Sequence, residues 1–377
     1  MKNALILSGG GARAAYQVGV LKAVAEILPE GAKNPFPIIC GTSAGAINAA
    51  TLAASEGTFR EAVAELEDIW GALEPSSIYR YGWLEMLRGA VRFGLSFFNQ
   101  GVGVDHPIAL LDNAPLRELI KRTVHFDKID RAIGRGDLDA VSVTAMGYHS
   151  GESVCFFQGK PGMEAWKRHR RSGRPTLLNA DHLMASSAIP TLFPTTRIEY
   201  EYFGDGALRQ LAPISPALHL GADRIFIVGV SGNRDRALRR SKRPPKHSPS
   251  IAQIIGQLFN SAFVDSLESD IERLERINEL VEMIPEQQRQ SQKLRSIEHL
   301  VVSPSQELDK IAGRNVRYLP SSLRFFLRST GATASGGGAT AASYLLFSKP
   351  FVEELIALGF RDTIWNRDAI GKFFDCK

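Results

Sequence analysis

The stretch IICGTSAGAINAA, residues 38–50, decides the fold. Its first three residues are typical of a short buried strand, and the alanine-rich run from Ala44 favours a helix. Between them, residues 41–45 read GTSAG, the G-x-S-x-G spacing of a nucleophile elbow when it joins a strand to a helix. Such a sharp turn strains the serine backbone, so its neighbours must be small, as they are here. The pattern makes Ser43 the candidate nucleophile.

The segment before this turn repeats the same alternation of strand and helix. Residues 4–7 read ALIL, and apolar residues recur at helical spacing between Val18 and Leu28. A strand, a helix, a second strand and a second helix in succession predict a parallel sheet. Residues 139–145 and 224–230 read as further strands. We therefore expect an α/β fold, a three-layer sandwich with a mainly parallel central sheet, plus a helical C-terminal region.

Three consecutive glycines follow the first strand. Gly9, Gly11 and Ala14 match the G-x-G-x-x-A dinucleotide fingerprint, so a nucleotide-binding protein is one alternative. That fingerprint wants an acidic residue at the end of the second strand, where residues 40–42 read CGT. The other use of such a loop is an oxyanion hole, in which the backbone N–H groups of Gly9, Gly10 and Gly11 approach a tetrahedral intermediate.

Asp205-Gly206 is the one Asp-Gly pair in the sequence. It follows residues 198–203, whose alternating pattern predicts a strand, and on its own such a pair is typical of a hairpin turn. Arg13, directly after the glycine loop, is a candidate either for supporting that loop or for meeting a substrate phosphate.

Together, the glycine loop with its arginine, the G-x-S-x-G pattern about thirty residues later and the distant Asp-Gly-Ala resemble the patatin-like phospholipase family in content and order. Residues 185–190, ASSAIP, extend the likeness, which covers about residues 4–230. The resemblance implies that Ser43 is the nucleophile, Asp205 the base of a Ser-Asp dyad, and Gly9 to Gly11 the oxyanion hole. Ser8 and Ala14 depart from plant patatins, which have Asp and Gly there.

The resemblance further implies hydrolysis of carboxylic esters in acyl lipids through an acyl-serine intermediate, with no metal and no cofactor. A Ser-His-Asp triad using His219, His247 or His299 is a rival, but its nucleophile normally follows several strands and Ser43 follows only the second. A catalytically silent lipid-binding or scaffold protein and an acyltransferase remain alternatives from other functional classes.

The domain organisation follows from composition shifts. We expect a catalytic domain at residues 1–235, a basic linker at 236–250 and a mainly helical region at 251–377 packed on the catalytic domain. Residues 75–104, rich in aromatic residues and arginine, predict a helical flap that covers the core, forms an acyl pocket or touches lipid.

Charge and composition limit the partners. The net charge of +5 favours anionic partners, and peripheral contact with an anionic membrane surface is expected ahead of nucleic acid, because the basic run at 234–247 lacks interleaved aromatic residues. No apolar run reaches the roughly 20 residues of a spanning helix. Three widely spaced cysteines fit reduced thiols, and a cytoplasmic location is expected. The sequence gives no indication of oligomeric state.

Overall fold

A computed structural model of the chain describes residues 1–96, 109–231, 266–291, 294–329 and 338–376, together with the single residues 254, 257, 258 and 261. Its strands are β1 (Asn3–Leu7), β2 (Ile38–Thr42), β3 (Ala140–Gly147), β4 (Ser153–Gly159), β5 (Trp166–Arg168), β6 (Arg171–Pro175), β7 (Thr196–Ile198), β8 (Glu201–Asp205), β9 (Arg224–Val228) and β10 (Glu298–Val302).

The helices lie between some of these strands and after the last of them. They are α1 (Ala15–Ile27), α2 (Ala44–Ala53), α3 (Phe59–Gly71), α4 (Pro75–Ile78), α5 (Trp83–Ser96), α6 (Ala114–Thr123), α7 (Phe126–Arg135), α8 (Ala180–Ser186), α9 (Ser215–His219), α10 (Ser266–Glu282), α11 (Glu286–Ser291), α12 (Leu308–Asn315), α13 (Ser321–Ser329), α14 (Gly338–Leu345), α15 (Lys349–Trp365) and α16 (Arg367–Phe373). Short 3-10 helices span Gly11–Ala14, Gly206–Arg209 and Val316–Tyr318.

The described strands form one mixed sheet in the order β10-β9-β1-β2-β3-β4-β6-β5. From β10 to β3 all neighbours run parallel, and β4 then pairs with β3 in the antiparallel direction. The five residues of β1, β2 and β9 are nearly all buried, as expected for parallel strands covered on both faces. Their continuous apolar runs are the reason that the sequence predicts them well.

Alternate side chains of each strand enter two different apolar clusters, one on either face of the sheet. Leu5 and Ile39 belong to the larger cluster, which α1, α2, α3 and α15 cover. Ile6 and Ile38 belong to the smaller cluster, which α9 and α10 cover. The expected three-layer α/β fold with a mainly parallel sheet is therefore confirmed.

The C-terminal region shares this sheet and core. Strand β10 pairs with β9 as a parallel edge strand, in register from Glu298 beside Arg224 to Val302 beside Val228. Helix α15 packs along α1, where Gly19 and Gly359 permit close backbone approach. The division of the chain into domains at residues 235 and 250 stays a prediction.

Two predicted segments, the strand at 198–203 and the flap at 75–104, correspond only in part to the observed elements. Residues 198–203 are not one strand: β7 and β8 form an antiparallel hairpin, and Glu199 in its turn has a φ of 53°. Of the predicted flap at 75–104, residues 75–96 form α4 and α5, while 97–104 and the basic linker at 236–250 lie outside the described residues. Within the part of the chain that the structure describes, no helix is both long enough and apolar enough to span a bilayer.

Candidate active site

Ser43 occupies the turn between β2 and α2. Its φ of 55° and ψ of −129° lie in a region that L-residues rarely adopt, which is the strained geometry of a nucleophile elbow. Gly45 lets α2 begin against the end of β1, because a Cβ there would lie 2.3 Å from the carbonyl oxygen of Leu7. The Ser43 N–H donates to the hydroxyl of Ser186 at 2.8 Å, so the turn is anchored by the segment that precedes β7.

The hydroxyl of Ser43 meets the carboxylate of Asp205. Oγ of Ser43 donates to Oδ2 of Asp205 at 2.6 Å, and the N–H of Ala207 donates to Oδ1 at 3.0 Å. Asp205 is fully buried, and burial raises the pKa of its carboxyl from 3.8 to about 7, although both hydrogen bonds act to lower it. A carboxylate with this pKa is a far stronger base than an ordinary aspartate, and it is poised near neutral pH.

A change of partner strand brings these two residues together. Strand β2 pairs with β3 up to Thr42 beside Thr144. At the next position of β3, Ala145, the antiparallel strand β8 takes over and presents Asp205. Ser43 follows directly on Thr42, so the register of β3 places the two side chains next to each other although 162 positions separate them in the sequence.

The glycine loop lies between β1 and the 3-10 helix that precedes α1. Gly11 has a φ of +54°, and a Cβ there would lie 2.3 Å from the carbonyl oxygen of Tyr344 on α14. Among the described hydrogen bonds, none uses the N–H of Gly9, Gly10 or Gly11 as a donor. Gly11 and Ser43 line the same pocket, so the glycine loop borders the space where an ester bound to Ser43 would develop negative charge.

A buried chain of hydrogen bonds ties this loop to α2 and α3. Nε2 of Gln17 donates to the carbonyl of Ser8 at 2.8 Å, Nδ2 of Asn48 donates to Oε1 of Gln17 at 2.9 Å, and Nε1 of Trp70 donates to Oδ1 of Asn48 at 2.7 Å. This support was not predicted from the sequence. The available signal was Asn48, a polar residue in the middle of an otherwise apolar, alanine-rich helix.

Arg13 is buried and faces the C-terminal region, with only 3% of its surface exposed. Its guanidinium donates through Nε to the hydroxyl of Ser343 at 2.7 Å, forms an ion pair with Asp309 and lies 4.2 Å from the ring centroid of Tyr344. These contacts correspond to the loop-supporting alternative. The guanidinium is already engaged by α12 and α14, so the geometry does not favour a contact with a substrate phosphate.

An apolar slot opens beside Ser43. Its described lining contains no lysine, arginine, aspartate or glutamate. The apolar side chains that line it come from α2, α3, α4, α6, α14 and the loops after α3, α8 and α14: Ile47, Ile69, Trp70, Leu73, Ile78, Leu116, Leu119, Ile189, Phe193, Tyr344 and Phe347.

One polar side chain of this slot stands apart from the rest. The Oγ of Ser187 is buried, and within the described residues it has no hydrogen-bond partner. Its neighbour Ser186 differs in this respect, because the hydroxyl of Ser186 accepts from Ser43 and donates to the carbonyl of Thr144 at 2.6 Å.

The candidate histidines of a Ser-His-Asp triad have other partners. His219 stacks on Trp166 with ring centroids 4.8 Å apart, and its Nδ1 lies 2.9 Å from the carbonyl oxygen of Ser215. His299 contacts Glu275 at 3.3 Å, and His247 lies outside the described residues. Elsewhere in the described chain, no group of three or more His, Cys, Asp or Glu side chains could hold a metal ion.

The sequence was compared with known proteins. A family model described as "Patatin-like phospholipase" matches residues 5–218. A curated protein, the "cGAMP-activated phospholipase" of Pseudomonas aeruginosa (strain BWHPSA011 / Pa011), is 29% identical over 216 residues, which are 57% of this chain and 55% of that protein. The match therefore spans about half the length of the curated relative.

Two solved structures show similarity at low sequence identity. The human GIVD cytosolic phospholipase A2 in complex with methyl gamma-linolenyl fluorophosphonate is 12% identical with a TM-score of 0.42, over 99% of this chain and 59% of that one. VipD from Legionella pneumophila is 11% identical with a TM-score of 0.35, over 98% of this chain and 67% of that one.

Proposed function

The chain belongs to the patatin-like phospholipase family, and on that premise we propose that it hydrolyses carboxylic esters of acyl lipids through an acyl intermediate on Ser43. The observation that carries the proposal is the 2.6 Å hydrogen bond from the Ser43 hydroxyl to the buried carboxylate of Asp205, beside an apolar slot. A strained serine, a base of raised pKa and an apolar acyl site are what such an enzyme requires.

In the first half of the reaction, Asp205 accepts the Ser43 proton while Oγ attacks the carbonyl carbon of the ester. The N–H groups of Gly9, Gly10 and Gly11 donate to the oxygen that becomes negative, and one such donor is typically worth about 3 kcal/mol of transition-state stabilisation. The tetrahedral intermediate then collapses, the bond to the alcohol oxygen breaks, and the alcohol leaves with the proton held by Asp205. The acyl group remains on Ser43.

In the second half, water takes the place of the alcohol. Asp205 accepts a proton from the water, the hydroxide oxygen bonds to the acyl carbon, and collapse returns the proton to Ser43 as the carboxylic acid departs. The pKa of Asp205, raised to about 7 by burial, suits both directions of this proton transfer near neutral pH. Arg13 acts as a positioning residue, because its ties to Asp309 and Ser343 brace the loop that carries the N–H donors.

The lining of the slot favours an acyl chain over a nucleotide. A nucleotide carries charged phosphates, and the described walls of the slot carry no positive side chain to receive them. Apolar side chains such as Leu73, Ile78 and Phe193 instead offer a surface on which methylene groups lose contact with water. We therefore place acyl lipids ahead of nucleotides, and we expect the protein to meet them at an anionic membrane surface.

Labelling with a fluorophosphonate probe, read by mass spectrometry of the intact protein and its peptides, tests the activated serine. The expected result is one adduct on Ser43, absent from Ser43→Ala and strongly reduced in Asp205→Asn. Exposed Ser76 provides a matched control, since Ser76→Ala should label like the wild type. Folded protein that takes up no probe would favour a silent lipid-binding or scaffold protein.

Product analysis completes the assignment. The protein that reacts with the probe is incubated with phospholipid, lysophospholipid or neutral glyceride, each with a radioactive acyl chain. It should release free fatty acid, and Ser43→Ala should release none. Transfer of the same acyl group to an added alcohol or lysolipid, without release of free fatty acid, would instead identify an acyltransferase. A probe adduct without any acyl release from these lipids would contradict the proposed substrate class.

A further inference from the structure

Helices α5 and α13 expose a contiguous apolar surface. Trp83, Leu84, Leu87 and Val91 are 51–67% exposed, and their spacing of one, four and eight residues puts them on one side of α5. Phe325 of α13 is 62% exposed and packs on Trp83 with ring centroids 5.5 Å apart. Single exposed apolar side chains are ordinary, but five that adjoin one another mark an interaction site. We call these five residues the docking face.

The helices that carry the docking face, and the residues that flank them, are rich in arginine. Residues 80–96 and 314–329, which contain α5 and α13, hold seven arginines and one glutamate, and two of these arginines, Arg80 and Arg314, form ion pairs with Asp112 and Glu354. Arg88 on α5 and Arg328 on α13 are exposed. Because the whole chain carries a net charge of only +5, this concentration of arginine beside exposed apolar side chains is a local feature and does not follow from the average composition.

The same two helices lead directly into the walls of the slot. Ile78, which lines the slot, ends α4 five residues before Trp83. The hydroxyl of Ser322 at the start of α13 donates to the carbonyl of Tyr81, and Tyr79 donates through its hydroxyl to the carbonyl of Leu345, next to the slot residue Tyr344. The docking face and the slot are thus joined by a few residues and by two side-chain hydrogen bonds to backbone carbonyls.

We propose that the docking face seats the protein on an anionic lipid bilayer, with the apolar side chains entering the boundary between headgroups and acyl chains. The exposed arginines then meet the lipid phosphates and carboxylates. This inference rests on the proposed function in one respect: an acyl-lipid substrate resides in a bilayer, so a face that adjoins the slot brings the substrate to Ser43.

The chemistry of the face fits a bilayer in particular. Tryptophan and leucine partition into the interface between headgroups and acyl chains, and a helix with an apolar face bordered by arginine is typical of proteins that lie on a membrane. Each arginine near an anionic surface strengthens binding about fivefold. A bilayer accepts all five apolar side chains and the arginine border at once, without any matching pocket.

Binding is measured on the Ser43→Ala protein, so that the vesicles stay intact and the result is independent of turnover. The full chain is cosedimented with vesicles of phosphatidylcholine alone and of equal parts phosphatidylcholine and phosphatidylglycerol. We expect binding to the anionic vesicles, a blue shift of tryptophan fluorescence, and quenching by brominated acyl chains that is lost with Trp83→Tyr.

Variants of the face separate its two contributions. Leu84→Ser with Leu87→Ser should weaken binding to anionic vesicles on the order of tenfold or more, and Arg88→Glu on the order of tenfold. A matched control is Ile277→Ser with Leu280→Ser, two exposed apolar residues of α10, which packs on the opposite face of the sheet. In the Ser43→Ala background, the control and all variants should retain their melting temperature, and the same substitutions made in the protein with Ser43 intact should leave the rate with a short soluble ester unchanged.

Unchanged vesicle binding by both face variants would overturn the proposal. It would equally be overturned if the unmutated chain were dimeric in light scattering and the double leucine variant monomeric, because the face would then be an interface between copies. Failure of the proposed function is distinguishable, since it appears as missing probe labelling on Ser43 whatever the vesicles show.

Discussion

Arg13 and Asp309 form an ion pair although 296 positions separate them in the sequence. Arg13 stands in the first turn after the glycine loop, and Asp309 stands in the first turn of α12, so the pair joins the two ends of the chain at the candidate site. The arginine side chain is 4% exposed and the aspartate side chain is 34% exposed. The C-terminal region thereby takes part in holding the loop.

This difference in exposure predicts that substitution of Asp309 and substitution of Arg13 lower the free energy of unfolding by different amounts. Asp309→Asn leaves a buried guanidinium without its counter-charge, and we expect it to lower the free energy of unfolding by about 1–3 kcal/mol. Arg13→Met should cost less, because water can reach the remaining carboxylate. Urea unfolding of the two single variants and the double variant measures both costs and their coupling; a larger cost for Arg13→Met would contradict this account.

The raised pKa of Asp205 predicts a pH profile for turnover. Asp205 must be ionised to accept the Ser43 proton, so kcat/KM for a soluble, non-ionising ester should fall about tenfold per pH unit below about pH 7 and level off above it. Circular dichroism over the same range checks that the fold persists. A profile that stays flat down to about pH 5 would contradict a base with this pKa.

Ionisation of the same carboxyl should lower the free energy of unfolding over the pH range in which it raises turnover. Because burial raises the pKa of Asp205 from 3.8 to about 7, its ionisation destabilises the folded state. This cost is absent below about pH 4, grows up to about pH 7 and is constant above it. Asp205→Asn removes the cost, so this variant should be inactive yet more stable than the wild type at neutral pH.

Unfolding at several pH values tests this second consequence. The stability difference between Asp205→Asn and the wild type should grow as the pH rises towards 7; Asp130→Asn, a substitution at an exposed site, is measured alongside as the control. A difference that is independent of pH would mean that the buried carboxyl does not change its charge in this range.

Two neighbouring serines predict opposite effects of the same substitution. The Ser187 hydroxyl is buried without a partner among the described residues, so Ser187→Ala should raise the free energy of unfolding by about 1 kcal/mol. The Ser186 hydroxyl accepts from Ser43 and donates to Thr144, so Ser186→Ala should lower it by about 1–3 kcal/mol. Chemical denaturation of the pair under one set of conditions measures both; equal signs would refute the assignment.

Local sequence patterns predicted the elements whose structure depends mainly on neighbouring residues. The apolar runs of β1 and β2, the small residues around Ser43 and the helix that follows were all visible in one short stretch. The three-layer architecture follows from that alternation. The proximity of Ser43 and Asp205 was expected only from a resemblance, because an Asp-Gly pair alone favours a hairpin turn.

Long-range pairing accounts for what the sequence analysis missed. Residues 198–203 alternate as a strand would, but β7 pairs with β8 in a hairpin that turns at Glu199, and β8 also pairs with the distant strand β3. The partners of Arg13 lie about three hundred residues downstream, beyond the reach of any local pattern. Most residues of β10 are exposed or partly exposed. Its place in the sheet depends on its pairing with β9.

The change of partner along β3 from β2 to β8 determines the position of Asp205 but not the shape of the slot. Side chains in a strand alternate between faces, so a slip of one residue between β8 and β3 would turn Asp205 away from Ser43 altogether. The described residues between α2 and β3, which supply α3, α4 and α6 to the slot, take no part in that pairing. Substitutions of slot residues on α4 and α6 should therefore change the shape of the slot while Ser43 and Asp205 keep their spacing, whereas Trp70 of α3 also supports the glycine loop.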